Sequence, residues 1–235
     1  MKYLKLFENF DTSEIDEICK VYNIQNYTIN PDGSIDVDGN VSLYSKKLKE
    51  LPLKFNKVTG SFYCNYNQLK TLEGSPNYVG EGFYCMNNYG LTTLKGGPKV
   101  VNGVYNCSGN FLEKLEYLPT TVKRFICSGN KLTSLVGCPN AEMVRFDDNM
   151  ISTLEGLPTD SDISCYETPL DNLAGLFFHG DYEYKLFLDY QETFNFLRKD
   201  CKIVKYLLEE ALKDYNEYYN KQVELPEEIE GYTYI

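Results

Sequence analysis

The chain has 235 residues, with 34 acidic against 23 basic side chains and a net charge of -11. That balance repels phosphate backbones and anionic lipid over long range, so nucleic acid and membranes are not expected partners. A hydrophobic content of 43% is that of a folded globular chain, and no apolar run reaches the roughly 18 residues of a membrane span.

In chain order, "MKYLKLFENF" carries lysines but no apolar stretch of the length a secretory signal needs, so a cytoplasmic, reduced protein is expected. A short helix is expected from about Ser13 to Tyr22, with Ile15, Ile18, Cys19 and Tyr22 on one face. Next, "YTINPDGSIDVDG" sets Tyr27 and Ile29, then Ile35 and Val37, on either side of Pro31-Asp32-Gly33, the pattern of a β-hairpin. "SIDVDGNVSLYS" does not make a calcium loop. With Gly39 sixth, Ser34 and Ser45 stand where an EF-hand needs its anchoring carboxylates.

From Leu43 an apolar register begins, carried by Leu43, Leu48 and Leu51, and it then becomes a repeat of roughly twenty residues. One column holds Cys64, Cys85, Cys107, Cys127, Phe146 and Cys165. Two residues earlier stand Phe62, Phe83, Tyr105, Phe125, Val144 and Ile163. Three residues later stand Asn67, Asn88, Asn110, Asn130, Asn149 and Thr168, and two leucine columns follow. Pro76, Pro98, Pro119, Pro139 and Pro158 close five of the coils. A cysteine inside a strand serves as a small buried hydrophobe. Stacked thiols without a close Cys-x-x-Cys pair do not converge as zinc ligands, so neither a metal nor any other cofactor is expected.

The repeat resembles the leucine-rich repeat, L-x-x-L-x-L-x-x-N/C-x-L. In that family the asparagine amide bonds to backbone groups of neighbouring coils, and the resemblance implies the same here. The expected fold is an α/β-type solenoid: a parallel strand stack with an extended convex side over residues 43–178. An N-terminal helix and hairpin cap (1–42) and a C-terminal helical cap with an acidic tail (179–235) would close its ends.

The helical period begins near Asp181. Leu186, Phe187, Tyr190, Phe194 and Leu197 line one stripe; Val204, Leu207, Leu208, Ala211, Leu212 and Tyr215 line another, with Asp200 as a candidate helix cap. The tail "VELPEEIEGYTYI" is expected to lie against these helices through Leu225, Ile229 and Tyr232. His179, the single histidine, has no nucleophile pattern around it, and phosphate-cradling motifs are absent, so no enzyme is expected.

Two family resemblances bear on function. Short repeats of this kind resemble those of bacterial effectors that carry a cysteine-dependent ubiquitin ligase domain. Cys201 in "RKDCKIV" does not match that family's acidic cysteine motif, and the C-terminal segment is too short for the ligase. The stretch from about 26 to 175, with units such as "GFYCMNN" and "LTTLKGGP", is similar to leucine-rich repeat proteins encoded by tailed bacteriophages. "MKYLKLFENF" also resembles short leaders on phage-encoded proteins, or else packs as an amphipathic segment on the cap. The resemblance implies a viral origin, in the host cytoplasm or the virion, and supplies no activity.

The leading expectation is a non-enzymatic module that binds another protein, host or viral, through outward strand positions; a structural component of a phage particle is the alternative. The candidate residues flank the cysteine column: Tyr63, Asn65, Tyr84, Met86, Asn106, Arg124, Ile126, Arg145, Asp147 and Tyr166. Tyrosine and arginine dominate binding hot spots. Outward tyrosines also suit strands for local reasons alone.

Overall fold

The computed structural model describes residues 12–158, 161–177, 184–198 and 201–235. The leader-like first ten residues, His179 and Asp200 lie outside them. Helix α1 (Thr12–Val21) buries Ile15 and Cys19. The hairpin follows as β1 (Tyr27–Ile29) and β2 (Ile35–Val37), antiparallel with Tyr27 opposite Val37. Then come β3 (Val41–Ser42), β4 (Phe55–Val58), β5 (Phe62–Tyr63), β6 (Tyr78–Val79), β7 (Phe83–Tyr84) and β8 (Val100–Val101). The series ends with β9 (Val104–Asn106), β10 (Arg124–Ile126), β11 (Met143–Arg145) and β12 (Asp162–Ser164).

These strands wind a parallel β-solenoid. One sheet runs β12-β11-β10-β9-β7-β5-β3, all parallel. A second runs β1-β2-β4-β6-β8, so the hairpin joins the return side of the first coils. This corrects the expected α/β type. Among the described residues no helix lies within a coil, and the return side carries a short sheet of its own. Both sheets cross the boundary drawn at residue 42, because β2 pairs β4 and β3 pairs β5.

The core is built in columns. Phe62, Phe83, Tyr105 and Phe125 are fully buried, with successive ring centroids 5.8, 5.1 and 6.1 Å apart. Beside them Cys64, Cys85, Cys107, Cys127, Phe146 and Cys165 are equally closed off, and no disulfide joins any cysteine.

Outside the cysteines runs an asparagine ladder. Asn110 Nδ2 donates to the Cys107 carbonyl of its own coil at 2.7 Å and to the Cys85 carbonyl of the preceding coil at 3.2 Å, while its Oδ1 accepts from Asn88 N–H at 2.8 Å. Asn67, Asn88, Asn130 and Asn149 repeat the arrangement. Each amide therefore satisfies backbone groups that coil stacking would otherwise bury unpaired.

Two residues beyond each core column the chain turns through the left-handed region. Ser45, Tyr66, Asn87, Gly109, Gly129, Asp148 and Glu167 all have φ between 52° and 64°. Glycine, asparagine and aspartate suit that corner; tyrosine does not.

After the last coil come α2 (Pro169–Ala174), α3 (Tyr184–Phe194), β13 (Leu197–Arg198), β14 (Lys202–Ile203), α4 (Lys205–Tyr219) and β15 (Thr233–Tyr234). Phe177 gathers the rings of Tyr190, Phe196 and Tyr215 within 5.1 to 5.6 Å. Leu197 belongs to a strand rather than to the helical stripe, and α4 starts after Val204 with no side-chain cap. The tail adds β15 to β14 as a parallel strand. No described helix is long and apolar enough to cross a membrane.

Asn110→Ala leaves the buried Asn88 N–H without its partner and takes one of two amide donors from each of the Cys85 and Cys107 carbonyls, which keep Asn88 and Asn130. We expect a loss of about 1–3 kcal/mol in urea denaturation. Lys131→Ala removes only an exposed cation 4.9 Å from the Phe111 ring, worth less than about 1 kcal/mol. Equal midpoints for the two variants would remove the ladder from the account of stability.

Burial pushes the Cys64, Cys85, Cys107 and Cys127 thiols far above the ordinary range. An unfolded thiol ionises near pH 8.5. The folded chain therefore keeps protons that the unfolded chain sheds. Stability held this way is complete below about pH 8.5 and falls as pH rises, by up to about 1.4 kcal/mol per pH unit for each thiol. Cys107→Ala loses packing at every pH, yet its stability drop between about pH 8 and pH 10 should be about 2 kcal/mol smaller than that of the parent chain. Parallel pH curves would contradict this.

Candidate functional site

The seven-stranded sheet turns its outward columns to one side, and register decides which side chains meet there. Tyr63 pairs with Tyr84 across β5 and β7, and Tyr84 with Asn106 across β7 and β9. Ile126 pairs with Arg145 and Arg145 with Ser164.

At the β5–β7 end, the Tyr63 and Tyr84 rings stack in parallel, with centroids 4.8 Å apart and planes 4° from coincidence. The strand spacing of about 4.8 Å imposes that separation. The Tyr84 ring leans back along its own strand, over Gly82. A Cβ at Gly82 would sit 2.5 to 2.8 Å from the Tyr84 Cε2, Cζ and hydroxyl, so the missing side chain makes the bed for the ring. Burial, then Tyr63 and Glu81 nearby, raise the Tyr84 hydroxyl above its usual range. Met86 is half-buried in the column beyond the cysteines.

Tyr44 and Tyr66, which the repeat columns did not single out, add to this end. They are 52% and 45% exposed, and their rings meet edge to face at 5.4 Å. Leu43 pairs in the cysteine register, which puts Tyr44 in the same outward column as Asn65 and Met86. That signal was present in the sequence. Tyr66 occupies the left-handed corner at φ 58°.

Two candidates do not join the surface. Asn65 and Asn106 are only 7% and 9% exposed. Asn106 Oδ1 accepts from the backbone N–H of Ser108 at 3.0 Å, which folds its side chain back onto the turn. Asp147 is half-buried and already engaged: its carboxylate accepts from Ser164 Oγ at 2.6 Å, Ser128 Oγ at 3.2 Å and Tyr166 N–H at 2.9 Å. It ties three coils together. Ile126 is half-buried, while Arg124, Arg145 and Tyr166 are exposed at the far end. Neither arginine forms an ion pair among the described residues. The face thus has an aromatic end and a cationic end, separated by the closed Asn106 position.

Away from this face, Cys201 is half-buried against the solenoid, its Sγ 2.8 Å from Ser152 Oγ. Among the described residues no group of three or more histidine, cysteine or acidic side chains converges to hold a metal ion. Comparison with protein-family models, curated proteins and solved structures finds no match.

Tyr66→Gly tests whether the exposed tyrosine serves the fold. A bulky residue in the left-handed region costs about 1–2 kcal/mol, and glycine offsets part of that relief through chain entropy. We expect a gain of about 0.5–1 kcal/mol in denaturation. A loss of stability would mean that the Tyr44–Tyr66 contact contributes more than the corner costs.

Proposed function

We propose that this chain is a non-enzymatic binding module: a capped solenoid of the leucine-rich repeat type that grips another protein with the aromatic end of its strand face. The observation that carries the reading is the stacked Tyr63–Tyr84 pair on its glycine bed. The two rings are fixed before a partner arrives, so little side-chain entropy is lost on binding. Their hydroxyls and faces suit a surface that must be apolar in one place and hydrogen-bonding in another. Tyr66 supports the same reading, since it accepts backbone strain while contributing an exposed ring. Strained residues without a folding benefit cluster at functional surfaces.

Arg124 and Arg145 supply the only outward cations in the candidate set, on a chain that is otherwise strongly acidic. They would orient a partner and speed its encounter more than they would hold it. The resemblance to proteins of tailed bacteriophages makes the partner a host or viral protein of an infected bacterium.

The test is affinity capture from infected-cell lysate, followed by direct measurement with purified partner. Tyr63→Ala/Tyr84→Ala should weaken binding at least about thirtyfold, as expected for two anchor residues worth about 2 kcal/mol or more before non-additivity. The melting temperature should change little. Arg124→Ala should chiefly slow association at low salt. Full affinity in the double tyrosine variant would move the binding surface elsewhere.

A further inference from the structure

The second sheet does not run the length of the solenoid. It ends at β8, and beyond that strand the return side keeps, among the described residues, one isolated bridge, Thr121 with Asn140. There an open groove of about 710 Å³ is lined by residues 99–102, 119–123 and 140–142 of three successive coils.

Backbone alternation fixes what the two banks present. Val100 and Asn102 give their N–H groups to the Asn77 and Val79 carbonyls at and beside β6, both at 3.1 Å. Within a strand, N–H and C=O of one residue point the same way and alternate along the chain. Val101 therefore turns both groups to the groove. On the opposite bank, Asn140 donates to Thr120 and accepts from Val122, both at 2.9 Å. Thr121 therefore turns its pair toward the groove from the other side. At the corner beside the groove the coils stay joined, with Lys123 N–H donating to the Gly103 carbonyl at 2.9 Å.

We propose that this groove is a second binding site, which takes an extended, acidic segment of another protein as an added strand between Val101 and Thr121. Backbone hydrogen bonds to two facing edges give affinity, as in other cases of strand addition. Charge selects the occupant. Lys99 and Lys123 line the groove without an ion-pair partner among the described residues, and Glu142 is the one acidic side chain among the lining residues. A net charge of -11 disfavours a second copy of the chain there.

Amide hydrogen exchange on the full chain gives the first test. The Val101 and Thr121 N–H groups should exchange much faster than those of Val100 and Asn102. Equal protection of all four would mean a closed sheet and would overturn the proposal. The second test uses synthetic ten-residue peptides alternating valine or threonine with glutamate, and twins with lysine for glutamate, read by fluorescence anisotropy. The glutamate peptides should bind and protect both amides, with lysine twins at least about tenfold weaker. Thr121→Pro, which deletes an N–H without a backbone partner, should weaken binding at least about tenfold, and so should Lys99→Glu/Lys123→Glu. Tyr63→Ala/Tyr84→Ala should leave it unchanged. Failure of every peptide to bind below millimolar concentration, or loss of binding in the tyrosine variant, would remove the groove as the site. A dimer that Thr121→Pro dissociates would assign the groove to a second copy and overturn the inference.

Discussion

The structure depends on one repeated contact, a side-chain amide that serves two coils at once. Asn88 reaches the carbonyls of Cys85 and Cys64; Asn130 reaches those of Cys127 and Cys107. A solenoid coil has too little surface to bury a core alone, so its stability comes from its neighbours. Stacking brings backbone groups at every turn into a dry interior. An asparagine has two donors and an acceptor on one short arm, and can answer three of them without an extra residue. Once that arm is fixed, the strand before it and the left-handed corner beside it are fixed too.

The ladder also explains why function can sit on a few positions. Because every coil is held by the same inward residues, the outward columns can vary with little effect on folding. The aromatic end exploits this freedom twice. Gly82 gives up a side chain so that the Tyr84 ring can lean back over its own strand, and Tyr66 stands at a corner where four other coils use glycine, asparagine or aspartate. Neither choice improves the core.

Much of this was legible in the residues. The cysteine, aromatic and asparagine columns placed the strands of the main sheet and the residues that fill its core, because burial constrains side-chain type strongly. The hairpin and α1 were legible for the same reason. What could not be seen was set by backbone pairing rather than side-chain chemistry. The second sheet uses two-residue strands such as Tyr78–Val79 and Val100–Val101, too short to show alternation. The strands β13, β14 and β15 are equally short, and β14 and β15 pair across about thirty residues of chain. Outward direction alone did not show that Asn65 and Asn106 are closed off, because that depends on neighbouring side chains folding over. Tyr44 was legible in principle, through the register of Leu43, whereas Tyr66 needed the corner geometry.

How the stack ends follows from the same chemistry that builds it. In the last coil Thr168 occupies the ladder position. Its single hydroxyl donates to the Cys165 carbonyl at 2.6 Å and accepts from Asp171 N–H at 3.2 Å. It has no second donor with which to reach back to the preceding coil, so it cannot staple two coils together. What it can do is cap a helix, and it is the N-cap of α2, with Pro169 in the first turn. Replacing an amide by a hydroxyl thus converts a rung into a stop: the chain leaves the solenoid where the ladder loses its second arm. At the other end the first coil has Lys46 in place of an asparagine, and its backbone N–H, with that of Leu48, is taken by Asn67 from the coil above. A first coil has no coil beneath it to hold, so it needs no amide of its own. The repeat is therefore bounded by the arithmetic of donors and acceptors.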